Sequence, residues 1–138
     1  MIIYRSKFLE VNYLERQHLM HFRWTGFAAY MDREGFYHEW LNFLGYRLHK
    51  RSRKFYIDLR TVEQWADATF FEWLFTYIIP KMASFNASAI GFLVEHPAAY
   101  EFVPHEKEFF KGRKVRILFE RDPQVLMEKL EMAHEGMA

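Results

Sequence analysis

The stretch Lys54-Phe-Tyr-Ile-Asp-Leu-Arg60 decides the fold. Phe55, Tyr56 and Ile57 follow one another without the apolar-polar alternation of a strand that has one wet face. A run this short and this apolar reads as a strand covered on both sides, the habit of parallel sheets whose crossovers lie on both faces. Downstream, Ser88-Ala-Ile-Gly-Phe-Leu-Val94 has the same character, and residues 115–120 supply a further strand. Helical patterns separate these runs. One covers residues 67–82, with Asp67 as its N-cap, and a short stretch follows around residues 97–110, interrupted by Pro104. The last helix opens with Asp122-Pro123, an N-cap followed by proline at the first helical position, and carries Val125, Leu126, Leu130 and Ala133 inward.

Upstream of the deciding stretch, residues 27–48 repeat apolar side chains at Tyr30, Tyr37, Leu41, Leu44 and Leu48, widened by Phe36, Trp40 and Phe43, as in a long amphipathic helix. Residues 4–13 and 19–25 read as two strands of an antiparallel hairpin, joined by the polar turn Leu14-Glu-Arg-Gln-His18 and closed by Gly26. The order is therefore ββαβαβαβα. It predicts an α/β domain with an opening β-hairpin and successive βα units. The sheet is mostly parallel, of about five strands with about four helices, its first strand the antiparallel exception and its crossovers right-handed.

Composition sets the outer limits. A chain of 138 residues without a Gly/Ser/Pro-rich linker or internal repeat reads as a single domain, 1–138. Aromatic residues make up 20% of it, with 15 Phe, 8 Tyr and 4 Trp, well above ordinary usage. The absence of Cys removes disulfides, thiolate metal sites and cysteine nucleophiles together. A formal charge of +1 gives no long-range field to gather nucleic acid. Arg5, Lys7 and Glu10 interrupt the N-terminal apolar residues, so no signal-peptide core forms, and the most apolar window, residues 70–79, is about half of the roughly 20 residues a membrane span needs. A cytoplasmic protein without membrane insertion is expected.

The hairpin-then-βα order resembles the STAS, or SpoIIAA-like, family of anti-sigma-factor antagonists, over nearly the whole chain. Within it the sequence is similar to small stand-alone bacterial members of unknown role, through Tyr4-Arg-Ser-Lys-Phe-Leu-Glu-Val, Phe22-Arg-Trp-Thr-Gly26 and Tyr56-Ile-Asp-Leu-Arg60. In family members that antagonise anti-sigma factors, an Asp-Ser-Ser-Gly segment starts the helix after the third strand, and a serine there accepts phosphate. The corresponding stretch here is Ala66-Asp67-Ala68-Thr69-Phe70, which keeps the aspartate and offers Thr69, while the serine pair and the glycine are absent. Phosphate at a helix N-terminus is favoured by free N–H groups and the dipole. Asp67 with Thr69 is equally what an ordinary capped helix start contains.

Beyond the resemblance, a parallel sheet places Thr25, Asp58 with Arg60, Glu95 with His96, and Glu120 with Arg121 along the edge where open α/β sheets bind ligands. Asp58 and Arg60 are expected to satisfy backbone groups and one another in the loop. Metal spacing is not found: His18 and His21 would face opposite ways on a strand, and Glu34 with His38 lacks a third ligand. Gly-rich phosphate loops, a Gly-x-Ser-x-Gly elbow and a His-Glu-x-x-His helix are also missing, so neither cofactor nor metal is expected. The basic runs at residues 49–54 and 111–116 read as solvated ends. The helix from Asp67 is apolar nearly all round, with Phe70, Phe71, Trp73 and Tyr77 among its large residues and only Thr69, Glu72 and Thr76 polar. Its surplus surface, with Trp40 and Phe43 on the preceding helix, packs between the two helices or is buried in a homodimer. The leading expectation is a non-catalytic STAS-like protein-interaction module with an unidentified protein partner. The alternative is a small-molecule or lipid-binding protein whose aromatic-lined apolar pocket is gated by Asp58, Arg60 or His96.

Overall fold

In the computed structural model, residues 2–46, 53–61, 68–84, 87–95, 107–110 and 113–132 are described. They form, in chain order, β1 (Ile2–Arg5), β2 (Leu9–Leu14), β3 (Leu19–Trp24), α1 (Arg33–Tyr46), β4 (Lys54–Asp58), α2 (Ala68–Trp73), α3 (Ile79–Ser84), β5 (Ala89–Leu93), β6 (Lys107–Phe110), β7 (Arg113–Glu120) and α4 (Pro123–Met132). The strands make one sheet in the order β1-β2-β3-β4-β5-β7-β6. β3, β4, β5 and β7 run parallel to one another, while β1–β2, β2–β3 and β6–β7 are antiparallel joints. The α/β class and the parallel centre match the sequence reading. Two strands are added to the expected five.

The first addition comes from Ser6. Residues 4–13 do not make one strand, because the Ser6 hydroxyl oxygen accepts the N–H groups of both Phe8 and Leu9 at 3.1 Å and turns the chain between β1 and β2. A local side-chain acceptor competes with the ladder and wins. The second addition is β6, which occupies residues 107–110 where a helical stretch was expected and pairs Lys107 through Phe110 with Arg116 through Arg113. The rest of that stretch, 97–106, lies outside the described residues.

The helix expected over 27–48 is likewise divided. Residues Gly26–Tyr30 form a 3-10 turn, Met31 is extended, and α1 begins only at Arg33. Asp32 is the reason: its Oδ1 accepts the Gly35 N–H at 2.7 Å, which makes it the N-cap. Further on, α2 and α3 run into one another through a π-helical turn, Leu74–Ile78, in which the Ile79 N–H donates to the Leu74 carbonyl. Pro80 follows at once and cannot donate to the carbonyl four residues back, so the widened turn sits where the α ladder is already broken.

The sheet has two cores. On one face Phe22, Trp24, Phe55, Ile57, Ile90, Phe92 and Ile117 pack with Phe36 and Trp40 of α1 and with Phe70, Phe71, Leu74, Ile78, Ile79 and Met82 of the second helical body. On the other face Leu19, Tyr56, Ala89, Leu93 and Leu118 pack with Leu126 and Leu130 of α4. α4 is capped as the sequence predicts, Asp122 Oδ1 accepting the N–H groups of Gln124 and Val125. It lies close to the sheet because Gly91 has no side chain: a Cβ there would stand 2.6 Å from Leu126 Cδ1. Among the described residues, no helix is long and apolar enough to cross a membrane.

Candidate functional site

Parallel pairing of β3 with β4 sets His21 beside Tyr56 and Arg23 beside Asp58. Alternation then decides the faces. Phe55 and Ile57 belong to the large core, so Tyr56 and Asp58 project to the α4 side. On that side α4 lies over β4, β5 and β7. The register continues the row outward, with Glu10 opposite Arg23 and Arg5 opposite Glu10.

The row is a chain of paired charges around a half-buried imidazole. Arg60 grips Asp58 with two hydrogen bonds, Nε to Oδ1 at 3.1 Å and Nη2 to Oδ2 at 2.9 Å, and its backbone N–H donates to the same Oδ1 at 3.0 Å. This hydrogen bonding raises the affinity of Arg60 for its proton. Arg5 and Arg23 both pair with Glu10. Partial covering would raise the Glu10 carboxyl, but the two guanidinium groups outweigh it and hold the carboxyl below its ordinary value. His21 meets the Tyr56 ring edge to face, centroids 4.6 Å apart. Burial pushes the Tyr56 hydroxyl up, and Asp58 adds to that shift.

Burial lowers the His21 imidazole below 6.5, with Arg23 adding to the shift and Asp58 and Glu10 opposing it. The folded chain therefore holds His21 neutral where the unfolded chain has begun to protonate it. Its contribution to stability is whole above the unfolded value and is lost as pH falls through the folded one. Denaturation midpoints measured from neutral to mildly acid pH are expected to fall more steeply for the native chain than for His21→Gln. Parallel curves would mean that His21 gains its proton in both states alike.

The sequence-derived candidates divide as follows. Asp58 and Arg60 come together as expected, and Glu95 is exposed and near enough for its charge to act on Arg60. His96 and Asp67 lie outside the described residues. Thr69 is exposed in the first turn of α2, and Glu72 and Thr76 share its exposure, as the narrow polar stripe predicted. Trp40, Phe70 and Phe71 are wholly buried within this one chain, so their surface is already used by the core. Trp73 is half-buried and stacks on Tyr37 at 3.8 Å, Tyr77 is exposed, and the Phe43 side chain is outside the description. A pocket among these aromatics cannot be gated by Asp58, which projects from the opposite face of the sheet. Of the basic runs, Lys54 is buried and reaches the Glu131 carbonyl, and Arg116 is half-buried. Among the described residues, no three His, Asp or Glu side chains stand close enough to hold a metal.

A second feature was not foreseen. Phe8, Met31, Asp32, Gly35, His38 and Glu39 line an open cleft of about 450 Å³ between the turn after β1 and the first half of α1. Glu39 Oε1 accepts the Tyr4 hydroxyl at 2.8 Å and the Ser6 hydroxyl at 2.5 Å, which fastens that turn to α1. Beside the cleft, the 3-10 turn leaves Phe27 58% and Tyr30 89% exposed, with Lys7 Nζ 5.2 Å from the Phe27 ring centre. The sign of this in the sequence is Asp32, an N-cap residue type inside the expected helix, which leaves Tyr30 ahead of the helix start.

Compared with known proteins, this chain matches no protein family, no curated protein and no solved structure.

Proposed function

We propose that this chain is a STAS-like binding module without catalytic activity, acting in a bacterial cytoplasm through contacts with another protein, a second copy being the simplest partner. The observation that carries the reading is the exposed aromatic turn: Phe27 and Tyr30 project outward at 58% and 89% exposure, whereas most of the described aromatic side chains on the helices are spent on the core. Aromatic anchors of this kind dominate the energetics of protein interfaces, and exposing them without a partner is costly. The opening hairpin feeding a consecutive run of parallel strands supports the STAS comparison. The bidentate closure of Asp58 by Arg60 supports a non-catalytic role, because it occupies both oxygens of the carboxylate best placed at the strand ends.

Sedimentation equilibrium over a range of concentrations tests the self-association form of this reading. A reversible dimer is expected for the native chain and a monomer for the Phe27→Ala, Tyr30→Ala double variant, with circular dichroism unchanged. A native chain that stays monomeric throughout would exclude the second copy. A dimer that survives the double substitution would place the interface elsewhere.

A further inference from the structure

We propose that the cleft lined by Phe8, Met31, Asp32, Gly35, His38 and Glu39 is a binding site for a small organic cation, a primary amine or guanidinium carried on an apolar body. Its volume, about 450 Å³, lies in the range of small-molecule sites. Two of its six lining residues are carboxylates and none is Lys or Arg.

Each carboxylate is held by the fold through one oxygen. Asp32 Oδ1 is fixed by the Gly35 N–H, and Glu39 Oε1 by the hydroxyls of Tyr4 and Ser6. Asp32 Oδ2 and Glu39 Oε2 take no hydrogen bond from any described residue. The two carboxylates are thus oriented before a ligand arrives, which reduces what binding must spend on ordering side chains. A positively charged N–H donor meeting such an oxygen makes a charge-assisted bond, roughly twice as strong as a neutral one.

The remaining walls suit the body of such a ligand. Phe8 offers a ring and Met31 a thioether, and Gly35 adds no side chain, a Cβ there standing 3.0 Å from Asp32 Oδ1. The Phe8 ring already stands near a cation, Lys7 Nζ being 5.9 Å from its centre, although Lys7 itself is not part of the lining. His38, exposed at the rim, offers an aromatic edge. Anions are disfavoured by the same two carboxylates.

Titration of the whole protein with phenethylammonium, followed by amide chemical shifts, tests the site. Saturable shifts confined to residues 6–9 and 31–39 are expected, with none from phenylacetate and weaker ones from 2-phenylethanol, which keep the ring and change only the head. The double variant Asp32→Asn, Glu39→Gln keeps the cap and the acceptor for Tyr4 and Ser6 while removing both charges. It is expected to weaken the amine about tenfold or more. Equal shifts from phenylacetate, an unchanged affinity in the double variant, or no saturable shift at millimolar amine would each overturn the proposal. The result is separable from the interaction reading, because Phe27→Ala, Tyr30→Ala leaves the lining intact and is expected to bind the amine as the native chain does.

Discussion

Trp40→Ala is expected to lower the unfolding free energy by about 3–5 kcal/mol, the range for deleting a fully buried large aromatic, and in a domain of this size that is a large part of the total. Trp40 is wholly buried, and its ring lies 5.4 Å from Phe36, 5.8 Å from Trp24 and 6.0 Å from Trp73. Its removal opens a cavity at the point where α1, the sheet and the second helical body meet. Trp40→Phe separates packing from polarity. The indole N–H groups of Trp24 and Trp40 are both buried without a hydrogen-bond partner. Exchanging the Trp40 indole for phenyl therefore loses ring contacts but also removes an unpaired donor, whose burial costs about 1–3 kcal/mol. A cost for Trp40→Phe well under half that of Trp40→Ala in urea denaturation is the expected result. Equal costs would mean that the indole nitrogen is satisfied in solution.

Gly91→Val is expected to destabilise by about 1–3 kcal/mol through overpacking, with the damage concentrated in α4. A Cβ at this position would stand 2.6 Å from Leu126 Cδ1, 3.2 Å from Leu130 Cδ1 and 3.3 Å from Leu126 Cγ. One leucine tip can rotate away from a methyl group. Two branched carbons facing two leucines leave no rotamer free, so the helix must lift from β4, β5 and β7. Hydrogen exchange is expected to rise across α4 while the α1 side of the sheet keeps its protection. The same rise on both faces would mean that the two cores unfold as one unit.

The backbone plan was readable from patterns that tertiary context does not override. The buried run at residues 54–60 became β4, Ala89–Leu93 lies inside the second buried run, and the Asp122-Pro123 signal started α4. The errors have particular causes. Ser6 and Asp32 were read as members of a strand and a helix, when each turns its oxygen onto nearby N–H groups and breaks the element. Among the described residues β6 is joined to the sheet by its pairing with β7, which no periodicity announces in four residues. At the site, Asp58 with Arg60 was visible because the two are neighbours in sequence. His21 with Tyr56 was not, since their meeting depends on the register of two parallel strands 35 positions apart along the chain. Glu39 was passed over for a similar reason, its partners Tyr4 and Ser6 lying 35 and 33 residues away.

The strand order carries a consequence for how the chain assembles. From β1 to β5 every strand is laid beside the one made just before it, and β7 then takes the free side of β5 while its neighbour β6 closes the edge by a hairpin. No strand has to be inserted between two others already in place before β7. Loop closure up to β5 thus proceeds one neighbour at a time, and the sheet can grow outward from the β1–β3 meander in the order of synthesis, β2 to β5 each finding a formed edge as its template, whereas β6 has to wait for β7. In such a layout the neighbours that β2, β3, β4 and β5 need are already made when each of them is added.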